Sequence, residues 1–316
     1  MGAVIRLATR SSPLALWQAN WVKTELEAMH RDCAVELVKI KTTGDKITDV
    51  PLAKVGGKGL FVKEIEEALL DRRADLAVHS MKDLPVEIPA GLHIAATTKR
   101  EDPRDALISA RGYPFAELPK GARIGTSSLR RSTQLCHKRS DLVIVPLRGN
   151  LDTRLKKLKT EQLDGIVVAA AGMRRMGWDE QITEYLPIEI SLPAIGQGAL
   201  GLECRADDEG INSLVASLDE PVTATCVAAE RAFLTRLQGG CQVPIAGHAI
   251  IQAGHLMLRG LVASLNGSRL IMDQASGPMH NAVTLGENLA ERLLTQGADA
   301  ILKEIYESSA PPPGSG

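Results

Sequence analysis

The sequence has 316 residues, enough for two or three domains, and 44% of them are hydrophobic and 24% charged. Its net charge of −1 and its 3% aromatic content argue against a general polyanion binder and against stacking platforms for single-stranded nucleic acid. No apolar run approaches the length of a membrane span, and no signal peptide precedes the first strand pattern. The five cysteines are widely spaced and odd in number, so we expect neither a disulfide framework nor a metal site, and we place the protein in a reducing cytoplasm.

Strand and helix patterns alternate through the first hundred residues. Ser12 and Pro13 follow an apolar strand pattern over residues 4–9, and they predict an N-cap and a proline at the first helical position of a helix ending near Met29. Further strands are predicted over residues 35–40, 74–78 and 92–97, and a helix from residue 61 to about 73. The segment 42–59 has no periodicity and several glycines, which is typical of a functional lid.

A second alternation begins near residue 99. We predict strands over residues 106–109, 123–125, 142–147 and 165–170. A helix is predicted over residues 129–138, with Ser128 as its cap, and another is capped by Asn150. Arg130 and Arg131 lie in the first turn of the former helix, where basic side chains oppose the helix dipole unless an anion binds there.

Basic side chains follow strand after strand in this pattern. They are Arg10, Lys82, Arg130, Arg131, Arg148 and Arg175. In open α/β sheets this edge forms the binding crevice, and arginine suits the recognition of carboxylate or phosphate. We therefore predict a small polyanionic ligand. Asp83 is the only acidic residue placed at a strand end among these cationic turns.

Cys241 lies between two glycines and a proline, in the stretch GGCQVP. The glycines end a preceding helix pattern and Pro244 prevents a restart, which leaves the thiol on a loop. A cysteine in this setting can act as a nucleophile or as an attachment point. More commonly, however, a cysteine in a tight turn is simply a small buried residue.

The remaining elements surround this loop. Residues 192–203 predict a return crossing that ends as a strand, and residues 208–218 a helix. Val222, Cys226, Ala229, Phe233 and Leu237 form one apolar stripe of a second helix. A strand meander is expected over residues 250–264 and 270–274, a final helix over 282–306, and disorder over 308–316.

At this point the chain resembles the porphobilinogen deaminase family, also called hydroxymethylbilane synthase. The matching stretches run in order along the chain: residues 8–15 (ATRSSPLA), 55–61 (VGGKGLF), 78–83 (VHSMKD), 100–105 (REDPRD), 125–131 (GTSSLRR), 147–150 (LRGN), 193–198 (PAIGQG) and 239–244 (GGCQVP). Together they are highly specific, and the region after Pro244 carries no motif that matches.

The resemblance implies an α/β fold with two lobes like those of periplasmic binding proteins, whose mixed sheets flank a cleft, plus a small C-terminal α/β domain. Lobe 1 would comprise residues 1–98 and 199–218, lobe 2 residues 99–198, and the C-terminal domain residues 219–307. The resemblance also implies a dipyrromethane cofactor bound covalently to the sulfur of Cys241. Four porphobilinogen molecules would be joined to it with loss of ammonia, and the linear tetrapyrrole hydroxymethylbilane released.

The resemblance further implies a role for individual residues. Catalysis falls to Asp83, Lys82 and Arg10. Cofactor binding falls to Cys241, Lys82, Asp83, Thr126, Ser127, Ser128, Arg130, Arg131, Arg148 and Gly149. Substrate binding falls to Arg10, Ser12, Arg148, Arg154, Arg175 and Gln197, and the lid to Lys54, Lys58 and Phe61. We expect a monomeric, cytoplasmic transferase of haem biosynthesis whose partner is porphobilinogen, with no nucleic acid or membrane partner.

The predicted chemistry fits the residues themselves. Each pyrrole carries acetate and propionate groups, so the growing chain is a polyanion of the kind that the arginines suit. Loss of ammonia leaves an electron-poor azafulvene, and a fixed carboxylate facing its ring N–H stabilises the developing positive charge. Asp83 is placed for that role.

Two other classes of protein remain open. One is a non-catalytic two-lobed protein that closes on an anionic ligand, and it needs neither a thiol nor a third domain. The other is a Cys-dependent acyl transferase, which needs a base near Cys241, for which His79 and His248 are the candidates. A stable adduct with the mass of two pyrroles would support only the deaminase.

Overall fold

A computed structural model describes residues 3–46, 59, 61–240 and 243–309. The predicted lid lysines Lys54 and Lys58, and the predicted attachment residue Cys241, lie outside these ranges. Across the described ranges, no helix is both long and apolar enough to cross a membrane.

The strands build three sheets. In chain order they are β1 (Ala3–Thr9), β2 (Cys33–Lys39), β3 (Leu76–Ser80), β4 (Leu92–Thr97), β5 (Asp105–Ser109), β6 (Arg123–Gly125), β7 (Val143–Val145), β8 (Gly165–Ala169), β9 (Glu184–Leu186), β10 (Leu200–Arg205), β11 (Ile245–Gln252), β12 (His255–Ala263) and β13 (Leu270–Pro278). The α-helices are α1 (Pro13–Met29), α2 (Thr43–Lys46), α3 (Lys63–Leu70), α4 (Leu129–Lys138), α5 (Leu151–Thr160), α6 (Ala170–Arg175), α7 (Glu209–Val215), α8 (Pro221–Arg236), α9 (Ala282–Leu293) and α10 (Asp299–Ser309).

Two five-stranded mixed sheets share one topology. Their strand orders are β2-β1-β3-β10-β4 and β7-β6-β8-β5-β9. In each sheet the first three strands are parallel, and the fourth, β10 or β5, is antiparallel to the strand on its parallel side. That fourth strand is the one that has just crossed from the other lobe. The predicted fold class, two lobes with mixed sheets and a small C-terminal domain, is confirmed.

Capping and apolar spacing account for the helix that follows β1. Ser12 is the N-cap of α1, its side chain accepts a hydrogen bond from the N–H of Ala15 at 3.4 Å, and Pro13 stands at the first helical position. Ala19, Val22 and Leu26 lie at helical spacing and are fully buried against the first sheet. The predicted N-cap, the proline at the first helical position and the helix itself are confirmed.

The C-terminal sheet β11-β12-β13 is an antiparallel meander covered by α8 and α9. Phe233 of α8 is fully buried at its centre, and added Cβ atoms at Gly247 and Gly260 would lie 3.4 Å and 2.5 Å from its ring. These small residues let the helix approach the sheet closely. Cys226, placed by the sequence in the core, is 4% exposed and belongs to this cluster.

Several predicted elements were wrong in detail. The meander predicted over residues 250–264 and 270–274 is confirmed, but its first strand begins earlier, at Ile245, and Ala253 and Gly254 have positive φ and turn the chain between β11 and β12. The final helix over 282–306 is broken at Gly297, which has φ +104°, and α10 continues to Ser309, into the predicted disordered tail. Val222, assigned to the buried stripe, is 50% exposed.

Candidate active site between the lobes

The Lys82–Asp83 pair lies in a single 3₁₀ turn, Met81–Asp83, directly after β3. Met81 is buried, and Cβ atoms added at Gly196 and Gly201 would lie 2.5 Å and 2.8 Å from its side chain. The glycines therefore form a socket that holds the first residue of the turn. The Asp83 side chain is exposed, and its negative charge acts on Lys82 beside it and on Arg154 of lobe 2.

Lys82 interacts electrostatically with charged residues of both lobes. Burial is the main cause that lowers the pKa of Lys82 to about 8. Asp83 and Asp105 raise this pKa, and Arg131 and Arg130 lower it. Lobe 1 thus presents an ammonium group to a cationic cluster on lobe 2.

Asp105, the first residue of β5, is the centre of that cluster. It is fully buried and receives hydrogen bonds from Arg130 at 2.8 and 3.1 Å and from Arg131 at 3.0 and 2.8 Å. Burial alone would raise the pKa of Asp105, but the two guanidinium groups outweigh it and hold the pKa far below its usual range. One carboxylate neutralises one of the two arginines, so the cluster keeps a net positive charge.

Asp105 has two further neutral partners. Ser191 donates to it at 2.6 Å, and the side-chain amide of Gln197 donates at 3.0 Å. Gln197 was predicted to bind substrate; its side chain is 1% exposed and also donates to the carbonyl of Pro103 at 2.6 Å, while its Oε1 has no partner among the described residues. Its substrate role stays a prediction.

The predicted hydroxyl residues organise the N-terminus of α4. Ser128 is the N-cap, and its Oγ accepts from the N–H of Arg131 at 3.5 Å. Ser127 Oγ donates to the carbonyl of Leu147 and accepts from its N–H, each at 2.9 Å. Thr126 Oγ1 accepts from the N–H of Ser128 at 3.2 Å. These contacts join the loop after β6 to the loop after β7.

Gly149 shapes the second of these loops. Its φ is +111°, and an added Cβ would lie 2.6 Å from Cγ2 of Thr153. Its carbonyl accepts from Nε of Arg154 at 2.9 Å. A glycine is therefore required here to aim Arg154, and the neighbouring Arg148 is partly buried at the same loop.

Arg154 and Arg175 form no ion pair within the part of the chain that the structure describes. Burial is the main cause that lowers the pKa of Arg154 to about 10, with Arg131 acting in the same direction and Asp83 against it. Burial likewise lowers the pKa of Arg175 to about 10, opposed by Glu101. Arg175 was predicted to follow a strand directly. Instead it ends the short helix α6, where it donates to the carbonyl of Gly198 at 2.6 Å.

Arg10 lies at the same edge of lobe 1, after β1. It pairs with Asp45 of α2, and its guanidinium stacks on the ring of Phe61 at 4.2 Å. Burial would raise the pKa of Asp45, but hydrogen bonds from Arg10 and Thr42 lower it. The start of the predicted lid segment is thus a short helix that contacts a predicted catalytic residue.

Three buried or half-buried carboxylates in and around this site were not predicted from the sequence: Asp45, Asp105 and Glu230. Glu230 of α8 is fully buried, pairs with Arg100 at 2.6 Å, and accepts from the backbone N–H groups of Gly196 and Ala249. Burial raises its pKa, but Arg100 and His248 outweigh this and lower it to about 2. Asp105 lies in the motif at residues 100–105. Nothing in the neighbouring sequence, however, identifies it as the buried partner of arginines 25 residues away.

Each histidine offered as a base for an acyl transferase lies beside a buried glutamate, although only His79 is hydrogen-bonded to its glutamate. His79 is buried with its Nε2 2.9 Å from Glu203, and His248 Nδ1 lies 3.6 Å from Glu230. Each belongs to a structural pair inside one domain or at a domain junction.

The donor set fits a ligand that carries several carboxylates. Arg154 and Arg175 have partly buried guanidinium groups that form no ion pair within the described ranges, and the charge of Arg131, in the doubly basic cluster, acts on Arg154. Buried cations of this kind are stabilised when a ligand supplies the opposite charge. The fold and this cleft are therefore those of a two-lobed α/β protein whose cationic groups suit a small polycarboxylate.

Comparison with known proteins identifies the family. Residues 5–213 match "Porphobilinogen deaminase, dipyromethane cofactor binding domain", and residues 224–295 match "Porphobilinogen deaminase, C-terminal domain". The chain is 59% identical over 303 residues to the porphobilinogen deaminase of Geobacter metallireducens, covering 96% of this chain and 95% of that protein. It is 56% identical over 309 residues to that of Syntrophotalea carbinolica, covering 98% of each. The chain belongs to the porphobilinogen deaminase family, which confirms the resemblance.

Some solved structures resemble part of the chain. The methionine binding protein MetQ is 13% identical, with a TM-score of 0.42, covering 68% of this chain and 89% of that one.

Proposed function

We propose that the protein is a porphobilinogen deaminase that joins four porphobilinogen molecules into hydroxymethylbilane, acting as a monomeric cytoplasmic transferase. The observation that carries the proposal is the exposed carboxylate of Asp83 placed among the cationic side chains of Lys82 and Arg154. Membership of the family over nearly the whole chain supports it.

The proposed division into domains follows the three sheets. Residues 1–98 and 199–218 form lobe 1, residues 99–198 lobe 2, and residues 219–307 the C-terminal domain. The antiparallel strands β5 and β10 directly follow the proposed crossings between the lobes.

In the proposed chemistry, the C–N bond of the aminomethyl group of porphobilinogen breaks and ammonia leaves. A C–C bond forms to the free carbon of the terminal pyrrole, which then loses its proton. Asp83 accepts a hydrogen bond from the ring N–H of the reacting pyrrole and stabilises the positive charge that develops there. When bound, the dipyrromethane supplies the first free pyrrole carbon.

The remaining residues bind and orient carboxylate groups. Cys241 would hold the cofactor through a thioether, and the residues that would bind its acetate and propionate groups are Lys82, Arg130, Arg131 and Arg148. Thr126, Ser127, Ser128 and Gly149 keep the loops that carry these arginines in place. The incoming substrate is bound by Arg10, Ser12, Arg154, Arg175 and Gln197. The lid residues that cover it are Lys54, Lys58 and Phe61.

Intact-mass measurement tests this function directly. The purified chain should carry an adduct with the mass of two pyrroles and convert porphobilinogen into a linear tetrapyrrole. Cys241→Ala should fold, carry no adduct and make no product, whereas Cys33→Ala, on β2, should retain both. An adduct mapped to another cysteine, or product formation by Cys241→Ala, would contradict the proposal.

A further inference from the structure

Arg231 of α8 reaches from the C-terminal domain to the backbone that directly follows Asp83. Its Nη2 donates to the carbonyls of Pro85 at 2.7 Å and Val86 at 3.0 Å, and its Nη1 donates to that of Leu84 at 3.3 Å. Three consecutive carbonyl groups are thus bound by one guanidinium. Such charge-assisted contacts fix the direction of a backbone segment more strongly than neutral hydrogen bonds do.

The other side of the turn is fixed by Met81. Its side chain fills the socket at Gly196 and Gly201, and it packs with Leu84 and with Val227, which lies one helical turn before Arg231. Asp83 therefore stands between two points that both contact α8, one apolar and one polar. Its own side chain is exposed, so its position depends on the backbone at either side.

No carboxylate competes for Arg231 at ion-pair distance within the described ranges. The guanidinium lines a groove of about 570 Å³ between lobe 1 and the C-terminal domain, together with Met81, Val86 and Val227. The turn therefore meets α8 in two ways, through the apolar contacts of Met81 and Leu84 with Val227 and through the hydrogen bonds of Arg231. Burial lowers the pKa of Arg231, opposed by Glu203, yet a guanidinium stays charged at working pH.

The same helix leads directly to the attachment loop. α8 ends at Arg236, and the stretch that contains Cys241 begins at Gly239. Glu230, the residue before Arg231, binds Arg100 and the N–H of Gly196 at the crossing between the lobes. One helix thus contacts the crossing, the turn of Asp83 and the segment that carries the cysteine.

From these contacts we infer that Arg231 is a positioning residue, which holds the carboxylate of Asp83 in register with the C-terminal domain by binding the carbonyls of Leu84, Pro85 and Val86. The inference rests on the proposed role of Asp83. A carboxylate displaced by about 1 Å can lower a rate by about a hundredfold, so the effect should appear in kcat.

The test compares Arg231→Met, which keeps an unbranched apolar stem, with Arg236→Met on the same helix. Arg236 is exposed and pairs with Glu291, within the C-terminal domain. We expect Arg231→Met to retain the cofactor adduct and a KM near that of the parent, with kcat lowered about tenfold to a hundredfold. Arg231→Lys should recover part of kcat, and Arg236→Met should behave as the parent.

A double variant separates positioning from a structural role. If Arg231 acts through Asp83, then Arg231→Met should lower kcat far less in an Asp83→Asn background than in the parent. An equal loss in both backgrounds, or an unchanged kcat in Arg231→Met, would overturn the inference. A fully active Asp83→Asn instead refutes the proposed role of Asp83 itself, so the two failures are distinguishable. If Arg231→Met cannot be purified, Arg231→Lys is compared in the same two backgrounds.

Discussion

The Asp105 cluster yields a stability prediction in which the loss of the carboxylate and the loss of an arginine differ sharply. Asp105→Asn removes the counter-charge of two buried guanidinium groups. Breaking a buried ion pair so that a charge is left uncompensated costs about 3–5 kcal/mol. Arg131→Leu removes two of the hydrogen bonds to Asp105 but leaves its pairing with Arg130, Ser191 and Gln197. After Arg131→Leu the remaining Asp105–Arg130 pair is neutral and no buried charge is left uncompensated, so the smaller loss belongs to Arg131→Leu.

The assay is urea unfolding of both variants in a Cys241→Ala background. That background removes the proposed covalent cofactor, whose binding would otherwise stabilise the folded state and hide the difference. Asp105→Asn should be the less stable protein, and an equal or greater loss in Arg131→Leu would refute the argument. With Cys241 restored, Arg131→Leu should purify with little adduct if it also binds the cofactor, and a full adduct with normal turnover would refute that role.

Three further predictions concern the turn, the lysine and the glycine of the cleft. Asp83→Asn should retain the adduct but lose about a hundredfold or more in rate, and Asp83→Glu should keep slight activity; intact mass and turnover on the same preparations check both. Lys82 loses its proton as the pH rises through about 8, so kcat/KM should fall on the basic side, and in Lys82→Arg the fall should move to higher pH. Gly149→Ala should be destabilised by about 1–3 kcal/mol and carry less adduct, because a side chain is strained at φ +111° and meets Thr153; normal stability and adduct would contradict this.

Local signals predicted most of the fold. The start of α1 was predicted from Ser12 and Pro13, and the start of α4 from Ser128. Both predictions were possible because a cap and its helix are neighbours in sequence. β4 and β6 were predicted at their observed bounds. β9 was missed, since three residues of mixed polarity have no period, and they become a strand only by pairing with β5.

The partners of the cationic side chains were harder to predict. Arg130 and Arg131 were recognised as unfavourable at a helix N-terminus unless a bound anion supplies a negative charge there. A negative charge is supplied by Asp105, which no period or spacing connects to α4, because the contact depends on β5 crossing to the edge of the parallel strands. Arg231 gave no signal either, since its partners are backbone carbonyls, which every segment possesses.

The crossing between the lobes and the Asp105 cluster share residues. Asp105 begins the strand that follows one crossing, Gln197 belongs to the other, and their side chains are hydrogen-bonded at 3.0 Å. Arg130 and Arg131 bind the same carboxylate, so any ligand that draws on their charge also acts on the junction of the two lobes. Loss of turnover in a variant of this cluster therefore cannot by itself separate ligand binding from lobe geometry. Unfolding without the cofactor and the mass of the adduct measure the two separately, because one depends on the junction and the other requires the ligand.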